Sequence, residues 1–193
     1  MRYPPQVLTA ALTLAAVLAV SASPPLAAAG EIPAAAGTTA AEWMTHRILV
    51  SLRNLPHAYT CNDLWYRFKD VMFAIGAQQL QILTYDCPDQ NPQPHGSPKV
   101  ELKFEFPTAL SGDNVRYADF HGTTTSVQLG PGHPASLTAE DCALVQQMAT
   151  GIFGALDVKV TESKFPCTAP PGATERYAVT VLALLPPAAA PHS

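Results

Sequence analysis

Two stretches of the chain, one opening at Cys61 and the other at Cys142, carry the same apolar pattern. Counting from each cysteine, apolar residues recur at i+3, i+7, i+10, i+11 and i+14: Leu64, Phe68, Val71, Met72 and Ile75 in the first, Val145, Ala149, Ile152, Phe153 and Leu156 in the second. That spacing traces one face of an α-helix. Each stretch also has a start signal. Thr60 stands three residues before Asp63 and Thr138 three before Asp141, a pattern in which hydroxyl and carboxylate satisfy N–H groups that a first helical turn leaves unpaired. The second signal lies farther ahead of its cysteine, so the second helix is expected to begin about one turn earlier relative to Cys142.

After each helix comes a short strand with alternating apolar residues, Leu80 and Ile82 in one case, Val158 and Val160 in the other, running to Cys87 or Cys167. A Pro-rich turn follows, over 88–98 or 170–172. A second alternating strand then closes each unit: Val100, Leu102, Phe104 and Phe106 before Pro107, and Val179, Val181, Ala183 and Leu185 before Pro186. Residues 47–52 and 123–129 supply a strand ahead of each helix. The expectation is an α+β fold of two β-α-β-β repeats, about 42–107 and 114–185, whose antiparallel sheet carries both helices on one face. Residues 117–121 are expected to add a strand at the junction. In element order alone, with no shared motif, the chain also resembles the paired β-α-β-β-β modules of the vicinal oxygen chelate proteins, and that resemblance implies strands curled around a cavity.

The cysteines are spaced almost identically within the two units, which predicts the bridges Cys61–Cys87 and Cys142–Cys167, each tying the start of a helix to the far end of the next strand. There is no Cys-x-x-Cys and no second pair at ligand spacing, so the cysteines are read as structural rather than redox or metal-binding. Bridges of this kind belong to an oxidising compartment.

The N-terminus agrees with that compartment. Arg2 precedes an uninterrupted apolar and small-residue run over 7–22, and Ala22 and Ala29 each end a small-residue cleavage pattern, so residues 1–29 are expected to be a signal peptide. The run is about 16 residues, short of the roughly 20 that a spanning helix needs, and no membrane span is expected. Residues 30–41 and 186–193 lack the spacing to bury a face and are expected to be flexible, leaving 42–185 as one domain. With 15 acidic against 11 basic side chains and a net charge of −4, and with no Lys/Arg run, nucleic-acid binding is not expected.

Candidate chemistry is sparse. His46 and His121 stand near the first strand of each unit, and a two-fold packing of the units would let them approach each other, with Glu101 or Glu105, as metal ligands. Asp119, His121 and the hydroxyls of Thr123, Thr124 and Thr125 are close in sequence, yet strand alternation leaves no hydroxyl fixed beside the imidazole. No catalytic residue and no cofactor is assigned. The loop over 88–98 is long for a hairpin connection and is a second place where something could bind. The sharper anomaly is on the first helix. Tyr66 and Phe73 fall opposite its apolar stripe, with Trp65 at the margin and Arg67 and Lys69 nearby, where the second helix carries Gln146, Gln147 and Gly154. Aromatic residues with Arg are what interfaces are enriched in. The set Trp65, Tyr66, Arg67 and Phe73 is therefore the expected docking face for a protein partner or a second copy of the chain. The reading is an exported, periplasmic or secreted, non-enzymatic binding protein. A metal- or small-ligand-binding protein with a site between the units, enzymatic or not, and a structural protein of the bacterial envelope are the alternatives.

Overall fold

A computed structural model of the protein describes residues 37–56, 58–89, 97–156, 158–167 and 176–187. The expected leader, most of the 88–98 loop and the end of the C-terminal tail lie outside the described residues. Six strands form one antiparallel sheet: β1 (Thr38–Ser51), β2 (Gln78–Tyr85), β3 (Lys99–Ala109), β4 (Phe120–Leu129), β5 (Lys159–Lys164) and β6 (Ala178–Leu185). Their order is β2-β3-β1-β4-β6-β5, with β2 and β5 at the edges. Helix α1 (Cys61–Ala74) connects β1 to β2, and α2 (Cys142–Met148) connects β4 to β5.

Alternation sorts the strands by face. Val100, Leu102, Phe104 and Phe106 of β3 and Val179, Val181 and Ala183 of β6 point inward and are buried. They share one core with Leu64, Phe68, Val71 and Met72 of α1 and Val145 and Met148 of α2. Both helices thus contribute to the same apolar layer, as an α+β arrangement requires. Glu101, Lys103 and Glu105 alternate to the other face of β3, where Arg47 of β1 donates to Glu101 at 2.6 Å.

The helix starts follow their sequence signals. The amide of Asp63 donates to Thr60 Oγ1 at 3.0 Å, and the Thr60 amide donates back to the Asp63 carboxylate at 3.1 Å. The Thr60 hydroxyl, donating to the same carboxylate, holds the Asp63 pKa below its ordinary value. Ahead of α2, Thr138 and Asp141 form the same reciprocal cap, and a 3₁₀ turn at Ala139–Asp141 starts the helical path one turn before Cys142. Both expected bridges are present, Cys61–Cys87 and Cys142–Cys167, with Cα atoms 5.4 Å apart in each. Two bridges fit an oxidising compartment. Among the described residues no helix is long and apolar enough to cross a membrane.

Four features depart from expectation. Strand β1 begins at Thr38, so residues 38–41, expected in a flexible linker, are strand: they pair with 120–123 of β4, and Ala40 and Ala41 are buried. The junction around Tyr117 is not a separate strand. Residues Gly112–Tyr117 form a 3₁₀ helix, and Phe120 already belongs to β4. The second helix does not stay α-helical. After Met148 it widens into a π-helical segment at Ala149–Phe153 and tightens into a 3₁₀ turn at Gly154–Leu156. Gly151 and Gly154 weaken helical preference there, and the Thr150 hydroxyl donates to the carbonyls of Gln146 and Gln147, a back-bond that bends helices. Lastly, β5 is exposed along its whole length, and of its two expected core valines only Val158, just before the strand, is buried. Among the described residues the sheet is open, with β2 and β5 at its edges, and does not close as the element-order resemblance implied.

Candidate functional site

Helix α1 is amphipathic in an unusual way, because its outward side is also apolar. Tyr66 is 47% exposed and Phe73 48%. Trp65 and Tyr66 meet edge-to-face with ring centroids 4.9 Å apart. The Lys69 ammonium sits over both rings, 5.0 Å from the Trp65 centroid and 6.0 Å from that of Tyr66. Beside them is an open recess of about 490 Å³ bordered by Asn62, Trp65, Tyr66, Thr84 and Asp89. Cys61 of the first bridge also lines it, and the Asp89 carboxylate accepts from the Cys61 amide at 2.9 Å. The aromatic residues are the part of this group that recognition surfaces are enriched in, and a cation, a carboxylate and neutral polar groups stand around them.

Arg67 is not part of this group. Its helical position lies on the flank facing α2, and its Nε donates to Asp141 Oδ1 at 2.6 Å. Lys69 takes the cationic place beside the aromatics. Asp141 is completely buried. Besides Arg67, it accepts from the Tyr59 hydroxyl at 3.0 Å and, through its other oxygen, from the Thr138 amide at 2.7 Å and the Thr138 hydroxyl at 2.9 Å. The Arg67 guanidinium also lies 5.5 Å from the centre of the Tyr59 ring. Burial, reinforced by the Asp141 charge, pushes the phenol of Tyr59 well above its ordinary value, and it does the same to Tyr177. This cluster links α1, α2 and the approach to β6. The Thr-x-x-Asp spacing marked Asp141 as a cap but carried no sign of its burial or of its bond to Arg67.

The histidines stay apart. His121 pairs with Ala40, six residues before His46 on β1, which puts about 20 Å of strand between the two. His46 stacks on Phe104 with centroids 5.6 Å apart, on the opposite face from Glu101 and Glu105. Among the described residues, the group at metal-ligand spacing is Cys61, Cys87 and Asp89, and its two sulfurs are already bonded to each other. Asp119 accepts from the Trp43 amide at 2.9 Å and so serves the sheet.

A second recess, of about 410 Å³, lies where the end of β3 meets the end of β6. Phe106, Pro107, Leu156, Val158, Leu182 and Leu184 supply its apolar lining, and polar groups including Lys159, Thr39, Thr108 and Thr124 make up much of the rest. Close by, a Cβ on Gly76, past the end of α1, would come within 2.9 Å of Leu185 Cδ2. No family model, no curated protein and no solved structure matches the chain.

Proposed function

We propose that the chain is an exported, non-enzymatic binding protein of the bacterial envelope that docks a protein partner, or another copy of itself, on the outer side of α1. The observation that carries this reading is the exposure of Tyr66 and Phe73 on a helix whose other side already fills the core. Large rings left in water on an otherwise well-buried fold are tolerated mainly where something covers them. The double variant Tyr66→Ser with Phe73→Ser is expected to keep its melting temperature within a few degrees and to lose association in pull-down from envelope extract and in light scattering. A loss of several kcal/mol would place the rings in the core instead and remove the face as a docking site.

The chain reads as a duplication of one β-α-β-β unit. The strand order, in which β2-β3-β1 and β5-β6-β4 mirror each other across the β1–β4 pair, supports it. Export is part of the same proposal and is supported by the two bridges. Protein recovered from the periplasm or medium is expected to begin at Ser23 or Gly30. Recovery of the full-length mass from that fraction would refute a cleaved leader.

A small-ligand reading is favoured by one feature, the apolar recess between β3 and β6 with Lys159 among its lining. It would suit an apolar molecule with an acidic end. Native mass spectrometry of the purified protein would reveal such a passenger, and an unadorned mass would count against it.

A further inference from the structure

We infer that two copies of the chain associate through the open edge of β2 together with the aromatic side of α1 above it, an inference that rests on α1 being the docking face and names its partner. The two sheet edges differ. Strand β5 carries Lys159, Glu162 and Lys164, while each edge strand has one irregular step in its pairing, between Val160 and Glu162 in β5 and between Gln78 and Gln81 in β2. Charges of that kind blunt an edge against further pairing, so the two edges differ in charge rather than in regularity. Strand β2, Gln-Gln-Leu-Gln-Ile-Leu-Thr-Tyr, has no charge and no proline and pairs with β3 alone among the described strands. It is the unguarded edge, a template for one more strand.

A second β2 fits it without conflict. Antiparallel self-pairing about a two-fold axis through Ile82 sets Gln81 opposite Leu83 within the regularly paired stretch of β2, so no like charges face each other. Leu83 and Tyr85 are exposed beside this edge. The helix above agrees with the same axis. The Arg67 flank of α1 faces α2, whereas Asn62, Trp65 and Tyr66 border a recess with Thr84 of β2. The aromatic side therefore overhangs the open edge. An axis that pairs β2 with its mate also runs the two α1 helices antiparallel. Asn62 and Phe73 are separated by about 16 Å of helix, with the recess at one end and the exposed Phe73 ring at the other. The axis brings Phe73 of each copy toward the recess of the other, a self-complementary knob and hole.

Sedimentation of the purified protein at micromolar concentration is expected to give the mass of two chains. Gln81→Lys with Leu83→Lys, and separately Gln81→Glu with Leu83→Glu, change exposed positions. Each variant is expected to sediment as one chain that keeps the parent's circular dichroism spectrum, and an equal mixture of the two is expected to return to the two-chain mass. In the unaltered protein, amide exchange along β2 is expected to slow as concentration rises, a readout that does not depend on the variants folding. A single-chain mass for the unaltered protein, concentration-independent exchange in β2, or a lysine variant that stays paired would overturn the inference. A single chain that still captures an envelope protein through Tyr66 and Phe73 would refute self-pairing and leave the α1 docking face standing. A single chain that captures nothing would remove both.

Discussion

A carboxylate with no solvent contact survives only if its lone pairs are engaged, and Asp141 engages four donors from Arg67, Tyr59 and Thr138. Replacing it by alanine would strand a mostly buried guanidinium, remove a helix cap and leave the Tyr59 hydroxyl without that acceptor. Asp141→Ala is therefore expected to destabilise by about 3–5 kcal/mol, the range for breaking a buried pair by removing one partner. Chemical denaturation measures it, and a loss under about 1 kcal/mol would show that the cluster relaxes or is hydrated. The same residues show why side-chain roles are hard to read from spacing. Arg67 and Lys69 lie two positions apart on α1, yet one turns into the molecule and the other covers Trp65 and Tyr66. Closeness in sequence suggests both for the aromatic side, but at about 100° per residue Lys69 lies within about 60° of Trp65, Tyr66 and Phe73 and Arg67 at least about 100° from each. The buried anion just ahead of α2 then fixes what Arg67 meets on its own flank.

Among the elements, the strongly patterned ones formed where their periodicity put them: α1 with its cap, and β3 and β6 with strict alternation. Those that differed were governed by neighbours. The Ala- and Thr-rich start of β1 has almost no hydrophobic signal and becomes strand because β3 and β4 flank it with backbone partners. The second helix kept Val145, Ile152, Phe153 and Leu156 buried but lost its α-helical hydrogen bonding where Gly151 and Gly154 and the Thr150 back-bonds loosened it. The bridges tie each helix start to the end of the following strand, closing loops with a sequence separation of 26 and 25 residues. Chain-entropy arithmetic gives about 3.5 kcal/mol for a loop of this length. Cys61→Ser with Cys87→Ser is expected to lose on the order of that amount while peptide mapping still finds Cys142 joined to Cys167. A variant as stable as the parent would mean that capping and packing already order α1 without the bridge.

At the scale of the whole molecule, the sheet is continuous only because residues 38–41 of β1 pair with 120–123 of β4. That junction is crowded. A Cβ on Gly122 would lie 2.9 Å from Leu184 Cδ1 and 2.9 Å from the Leu185 carbonyl oxygen, so β4 and β6 meet there at backbone distance. Gly122→Ala is expected to cost about 1–3 kcal/mol, as overpacking does. Gly154→Ala is the control. Its Cβ meets nothing within 4 Å and its backbone is already helical, so it is expected to be neutral or stabilising by about 0.5–1 kcal/mol. Equal unfolding midpoints for the two variants would show that β6 moves aside freely and that the junction is not tightly packed.

The sequence alone determined what local physics controls. Apolar periodicity specified α1, β3 and β6, Thr-x-x-Asp spacing specified both helix starts, and matched cysteine spacing specified both bridges, because each of these depends on residues near one another in the chain. The aromatic side of α1 was legible for the same reason, since a helical wheel needs only α1 itself. Tertiary structure decided the rest. It set the separation of His46 from His121, the inward turn of Arg67, the 38–41 strand and the contrast between the open edge of β2 and the charged edge of β5. Each of these depends on which strands became neighbours, and that is settled by packing between residues far apart in sequence, where no local pattern carries the information.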